Sequence, residues 1–176
     1  MRPLLLYIVA VVMLAGGASA QSTHHQPYAG HEARMIAALS EQEVADLRSG
    51  AGMAMALPAE LNGYPGPRHV LDLAGQLGLT TDQRAEAERL MAEMRGQALP
   101  LDEEVIAAEA ELGRLFASGS ATAVAIATAT DRVARLRGEL RSVHLVAHVA
   151  MRDALTPDQR SAYDRLRGYA PGRRAH

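Results

Sequence analysis

The hydrophobic positions of this chain repeat with a helical period over most of its length. Across residues 87–115, and again across 126–154, apolar or small residues recur at alternating steps of three and four. A period near 3.5 is typical of helices that pack side by side. Pro100 lies in the first run, but the pattern continues in phase, so we expect a kinked helix there. The pattern predicts two long helices, joined by segment 117–120, that form an antiparallel hairpin.

Shorter helices are predicted on both sides of the hairpin. Ser40 and Glu43 form a capping box that starts one helix, and Thr156 with Gln159 forms another box that starts the last helix. Proline and glycine mark the turns between the short elements. The predicted short elements cover residues 41–48, 53–61, 67–77 and 157–167. We therefore assign the chain to the all-α class.

The first residues have the three-part plan of a secretory signal. Arg2 precedes an apolar run over residues 4–14, and small residues ending in Ala20 supply a cleavage site before Gln21. The run is too short to span a bilayer comfortably. We therefore expect a cleaved signal peptide and a mature chain in the periplasm.

Composition excludes several classes of function. The 176 residues include no Cys, so disulfides, thiolate metal sites and cysteine nucleophiles are excluded. The formal net charge is −2, which gives no general attraction to nucleic acid. The chain contains no phosphate-binding loop, dinucleotide fingerprint or nucleophile elbow. We do not expect an enzyme, and no cofactor is required.

Two helix starts share a motif. Leu79, Thr80 and Gln83 form an L-T-x-x-Q string, and Leu155, Thr156 and Gln159 repeat it at the start of the last helix. Two such motifs behind a signal peptide, in a cysteine-free helical hairpin, resemble the Spy/CpxP family of periplasmic proteins. The resemblance covers about residues 67–169.

The resemblance implies a thin, curved, helical cradle that forms a dimer. Spy-like members bind unfolded or partly folded clients without ATP, and CpxP-like members also damp an envelope-stress sensor kinase. The family includes ZraP-like zinc-binding proteins and CnrX-like heavy-metal sensors. The resemblance thus implies three alternatives: a holdase or refolding chaperone, a metal-binding stress protein or sensor, and an adaptor that inhibits a kinase.

The predicted organisation follows from these signals. A signal peptide (1–20) precedes a mobile, histidine-containing segment (21–38) and a region of short helices with a Gly/Pro turn (39–66). The Spy/CpxP-like hairpin domain (67–169) and a disordered tail (170–176) complete the chain.

A promiscuous client surface needs adaptable apolar side chains beside charged ones. Arginines flank the two methionines of the first long helix, and the other two methionines lie in a segment bounded by glycines. The alternative for the methionines of the long helix is that they fill the hairpin seam. A thin hairpin also leaves apolar surface uncovered unless it dimerises or residues 31–77 cover it. The candidate client-binding residues are Met53, Met55, Met91, Met94, Arg84 and Arg95.

His144 and His148 are the candidate metal ligands. Their spacing places two imidazoles on one helical face, which suits zinc, copper, nickel or cobalt. Met151 would add a soft ligand, and the hairpin register brings Glu93 opposite His144 to within about one turn. His24, His25 and His31 offer further imidazoles from the N-terminal segment. The alternative is a histidine pair that binds no metal.

Overall fold

A computed structural model describes residues 28–169, and this part of the chain is all-α, as predicted. A single 3₁₀ turn (His31–Ala33) precedes six α-helices. The helices are α1 (Glu41–Arg48), α2 (Leu57–Glu60), α3 (Pro67–Asp72), α4 (Thr81–Ala117), α5 (Ala123–Asp153) and α6 (Pro157–Leu166). The predicted signal peptide and C-terminal tail lie outside the described residues.

Helices α4 and α5 form the predicted hairpin. Their buried residues include Ala87, Met94, Val105, Leu136 and Leu140, all at positions of the predicted seam. Pro100 lies inside α4, and the helix continues through it. Near the turn the seam opens, because the short connection leaves no further element there to cover it. The hairpin is therefore best packed in its middle and at the end distant from the turn.

The region before the hairpin packs on it as a covering layer. Ile36, Leu39 and Leu47 share one hydrophobic core with the middle of α4 and α5, and Val44 packs against the edge of that core. The capping box of Ser40 and Glu43 fixes the start of α1, as predicted. This layer covers the apolar face of the hairpin that two packed helices leave exposed.

A second core lies at the end of the hairpin distant from the turn. Val70, Leu77, Leu90, Met151 and Tyr163 are buried in it, so it joins α3, α4, α5 and α6. The prediction that α3 extends to about residue 77 is wrong, since the helix ends at Asp72. The backbone then continues in turns, and Leu77 at the end of these turns is buried in this core.

The two L-T-x-x-Q motifs bind each other. The Gln83 side-chain amide donates to Gln159 Oε1 at 2.8 Å, and the Gln159 amide donates to Gln83 Oε1 at 2.9 Å. Each glutamine also closes the capping box of its own helix, through Thr80 and Thr156 respectively. Gln83 further donates to the Ala154 carbonyl at 3.0 Å. The motifs thus join the starts of α4 and α6 to the end of α5.

Asp102 is a buried carboxyl group in α4. It lies on the same helix face as the core residues Ala98 and Val105, it is 1% exposed, and neither carboxyl oxygen has a hydrogen-bond partner. Burial raises the pKa of Asp102 to about 6, with a smaller contribution from Glu103. An ionised Asp102 therefore destabilises the fold.

No helix in residues 28–169 is long and apolar enough to cross a membrane.

We expect Gln159→Ala to lower the free energy of unfolding by about 2–3 kcal/mol, because it removes the paired amide and a capping bond together. The double variant Gln83→Ala/Gln159→Ala should lose about 1 kcal/mol less than the sum of the two single changes. Urea unfolding measures these values. Gln42→Ala, which removes only a surface bond to Asp46, is the control and should change stability by less than about 0.5 kcal/mol. Additive effects would contradict the pairing.

Asp102 should make stability fall as the pH rises. Its pKa is about 6 in the folded protein and has the ordinary value of 3.8 in the unfolded chain. The folded state therefore holds this proton more tightly, which stabilises the fold fully below pH 3.8, and this stabilisation is lost as the pH rises to about 6. We expect Asp102→Asn to be more stable than the wild type by about 3 kcal/mol at about pH 7.5, and nearly equal to it at about pH 4. Urea unfolding at both pH values tests this, with the exposed Glu104→Gln as control. A difference that does not change with pH would contradict it.

Candidate metal-binding pocket

His144 and His148 lie one turn apart on the inner face of α5. Both are buried, at 3% and 9% exposure. They line a cavity of about 110 Å³ between α4, α5 and the loops before α2 and α3. This volume holds a few water molecules or one coordinated ion. The spacing predicted from the sequence therefore brings both imidazoles to one enclosed site.

Glycines let the covering loops approach the two imidazole rings. A Cβ atom at Gly66 would lie 2.8 Å from His148 Nε2, which is closer than a carbon atom can pack. A Cβ atom at Gly52 would lie 3.5 Å from His144 Nδ1. The next two residues, Met53 and Ala54, have positive φ values of 41° and 61°. The loop at the pocket is therefore held in a conformation that residues with side chains rarely adopt.

The hydrogen bond of His148 determines which ring nitrogen is free. Nδ1 lies 2.8 Å from the carbonyl oxygen of Tyr64. A carbonyl only accepts, so Nδ1 carries the hydrogen and donates it. In the neutral ring the lone pair is then on Nε2. A backbone carbonyl behind a ligating histidine is a common arrangement in metal sites, because it orients the ring.

His144 has a buried nitrogen that nothing in the described chain satisfies. Its Nε2 atom has no hydrogen-bond partner. Burial lowers the pKa of His144, and the neighbouring His148 lowers it further. The ring is therefore neutral at neutral pH, which is the form that binds metals. A buried polar atom without a partner, on a ring that lines a ligand-sized cavity, indicates that the site is built for a further atom.

Three further side chains with donor atoms line the pocket. One is His69, whose Nδ1 atom lies 3.7 Å from Asp72. Met91 and Met94, one turn apart on α4, line the same cavity as the two histidines. Within residues 28–169, no three His, Cys, Asp or Glu side chains come close enough to hold a metal ion together. The pocket thus offers imidazole and thioether groups, which suit soft cations such as Cu(I).

The structure separates the other two predicted metal ligands from this pocket. Glu93 is exposed and accepts a hydrogen bond from Arg89 at 2.8 Å, on the opposite side of the hairpin seam. Met151 is fully buried in the core beside Tyr163. His31 lies in the N-terminal 3₁₀ turn and contacts Arg34. His24 and His25 lie outside the described residues.

The predicted client-binding residues do not form one surface. Met53 and Met55 pack against the first core, and Met91 and Met94 line the histidine pocket. Arg84 is exposed near the start of α4. Arg95 donates to the Ser49 carbonyl at 3.1 Å and so anchors the loop after α1.

An open apolar cleft lies along the other side of the hairpin, and the sequence reasoning missed it. It has a volume of about 390 Å³. Val146 is 63% exposed in it, and the nearby Val149 is 47% exposed. Both valines lie outside the predicted seam of α5. Apolar residues outside the seam are the sequence signal that could have indicated this cleft. The apolar lining residues are Leu90, Met94, Val143, Val146, Ala147 and Ala150.

Comparison with known protein families assigns the chain to one of them. The model of a family described as heavy-metal resistance matches residues 49–162, which is more than half of the chain. The chain belongs to this family, which is part of the Spy/CpxP/ZraP-like helical group. The matched segment contains both histidines, both pocket methionines and the glycine loops. No curated protein and no solved structure matches the chain.

Proposed function

We propose that this protein binds a soft heavy-metal cation, of the Cu(I) class, in the pocket lined by His144, His148, Met91 and Met94. The observation that carries the proposal is that His144 and His148 line one cavity and that the buried Nε2 atom of His144 has no hydrogen-bond partner. Membership of the heavy-metal resistance family supports it. The protein would act in metal resistance by sequestering the ion, or would sense it.

The donor set favours copper among the metals that the histidine spacing allows. Zinc, nickel and cobalt sites usually combine imidazole with thiolate, carboxylate or water ligands. Here Glu93 is paired with Arg89, the chain has no Cys, and His69 does not come close enough to form a three-ligand group with the other two histidines. The neutral thioethers are therefore the additional donors that the pocket offers. Thioether sulfur binds Cu(I) much better than it binds Zn²⁺.

The predicted signal peptide would bring the mature chain to the periplasm. Resistance to copper or a similar metal is useful there, because the ion enters the cell through this compartment. The absence of cysteine suits an oxidising compartment, where an unpaired thiol would be a liability. We therefore propose the periplasm as the site of action.

We expect purified protein to bind one Cu(I) per pocket, and His144→Ala/His148→Ala to weaken binding by about 100-fold or more, because both imidazoles are lost. Met91→Leu/Met94→Leu should weaken Cu(I) binding by about 10-fold and leave the weaker Zn²⁺ binding unchanged. Competition with a chromophoric Cu(I) chelator under anaerobic conditions measures both.

Two controls accompany this measurement. Gly66→Ala keeps every ligand but places a methyl group against His148 Nε2, and should also weaken binding, whereas Gly75→Ala meets nothing within 4 Å and should not. The variant His24→Ala/His25→Ala/His31→Ala removes the N-terminal imidazoles and should leave the tight site intact. Loss of binding in that variant, with binding retained in His144→Ala/His148→Ala, would place the site in the N-terminal segment and refute the proposal.

The apolar cleft supports a second candidate function, binding of unfolded proteins without ATP. Its floor is apolar, and its rim carries both signs of charge in Arg89, Glu93 and Glu139. An exposed apolar surface with a charged rim is typical of binding sites for other proteins. A chaperone of this kind, or an adaptor for a sensor kinase, would bind its client or partner in this cleft. It would do so either as a monomer or as a homodimer.

We expect metal-free protein, at equimolar ratio, to reduce the light scattering of an aggregating client. Val146→Glu should reduce that protection by about half or more, because it replaces an exposed apolar side chain of the cleft with a charge. Val124→Glu is the matched control, since Val124 is 78% exposed near the hairpin turn, outside the cleft. Equal protection by both variants would exclude the cleft as the client site. No protection by the wild type would exclude general chaperone activity.

A further inference from the structure

Glu60 is a buried carboxylate between the metal-binding pocket and the C-terminal helix. Its side chain is 8% exposed, although it belongs to the short surface helix α2. A charged group is rarely buried without partners, because its desolvation is costly. Glu60 has several partners, and they come from two different parts of the fold.

The two carboxylate oxygens face these two parts separately. Oε1 accepts hydrogen bonds from the hydroxyl groups of Tyr163, at 2.5 Å, and Tyr169, at 2.9 Å, and lies 3.4 Å from Arg167 Nε. These three residues belong to α6 and the segment after it. Burial raises the pKa of Tyr163 well above its usual range, and the bond to Glu60 raises it further, so its hydroxyl keeps its proton and donates.

The other oxygen contacts two residues that line the pocket. Oε2 accepts from the backbone N–H of Gly66 at 3.2 Å and lies 3.7 Å from His148 Nδ1. Gly66 is the residue that packs against His148 Nε2. Glu60 thus contacts the glycine that borders the ligating nitrogen and stands next to the opposite ring nitrogen of the same histidine.

We propose that Glu60 is a positioning residue that couples the metal-binding pocket to the C-terminal helix, so that metal binding strengthens the docking of α6 and the docking of α6 strengthens metal binding. This inference rests on the proposed function and adds a regulatory output to the same site. The output element is α6 with Arg167 and Tyr169.

Charge and hydrogen bonding provide the physical link. When His148 ligates a cation through Nε2, the ring carries part of the positive charge. Oε2 of Glu60 lies 3.7 Å from Nδ1 of this ring, so the charge attracts the Glu60 side chain and holds Oε2 beside the N–H of Gly66. Oε1 belongs to the same carboxylate, so holding Glu60 in place also fixes the acceptor of the two tyrosine hydroxyls. Because the coupling is a difference in free energy, it acts equally in both directions.

The test combines metal affinity with amide hydrogen exchange of the full mature chain, with and without Cu(I). In the wild type, we expect Cu(I) to slow exchange in residues 157–169 and to leave α1 unchanged. Glu60→Gln keeps the size and the acceptor oxygen but removes the charge. We expect this variant to bind Cu(I) about 10-fold more weakly and to lose the metal-dependent protection of α6. A merely structural role for Glu60 would change exchange in α6 equally with and without metal.

A second variant keeps the test decisive if Glu60→Gln folds poorly. Tyr169→Phe removes one donor to Oε1 at the far side of the network, where no pocket residue is touched. We expect it to weaken Cu(I) binding by about 3-fold, whereas Tyr28→Phe, in the exposed N-terminal segment, should have no effect.

The outcomes separate this inference from the proposed function. If the wild type binds Cu(I) at His144 and His148 but α6 exchanges at the same rate with and without metal, the coupling is wrong and the metal function stands. If Tyr169→Phe and Glu60→Gln both bind Cu(I) as tightly as the wild type, the coupling is also wrong. If the wild type binds no Cu(I), the proposed function fails and the coupling fails with it.

Discussion

Two helices packed side by side bury only the strip along which they touch, and the rest of this structure depends on how the remaining surface of the hairpin is covered. The segment between Ile36 and Leu77 covers the middle of the hairpin on one side and, together with α6, the end distant from the turn. Two imidazoles that an isolated α5 would leave in water are thereby enclosed. The opposite side, with Val146, stays in solvent. The same constraint therefore produces a pocket with buried histidines under the covering loops and a separate cleft that contains the exposed Val146.

Much of the fold follows from local sequence signals. The period of the apolar residues predicts α4 and α5, and the capping boxes at Ser40, Thr80 and Thr156 predict three helix starts. These signals succeed because each acts within a few residues of chain. The early end of α3 and the pairing of Gln83 with Gln159 were not predictable in this way. Both depend on contacts between segments that are far apart in the sequence.

In the candidate site, too, the local signals were predictable and the contacts between distant segments were not. The helical spacing of His144 and His148 predicts that they share a face, and the structure places them in one cavity. The methionines of α4 are three residues apart and so also share a helix face, but nothing local indicates that they face the histidines rather than a client. Glu93 is within the expected turn of the register and still points away, because a helix presents only some of its residues to its neighbour. The covering loop at Gly52 and Gly66 has an irregular backbone, which the sequence does not specify. Its position decides which ring nitrogens remain available.

The most direct test of the metal-binding account is a crystal structure of the Cu(I)-loaded protein with anomalous diffraction measured at the copper absorption edge. The account predicts one strong anomalous peak in the pocket, within bonding distance of His144 and His148 and next to a thioether of Met91 or Met94. A peak elsewhere on the chain, or none under conditions where copper binds stoichiometrically in solution, would contradict it.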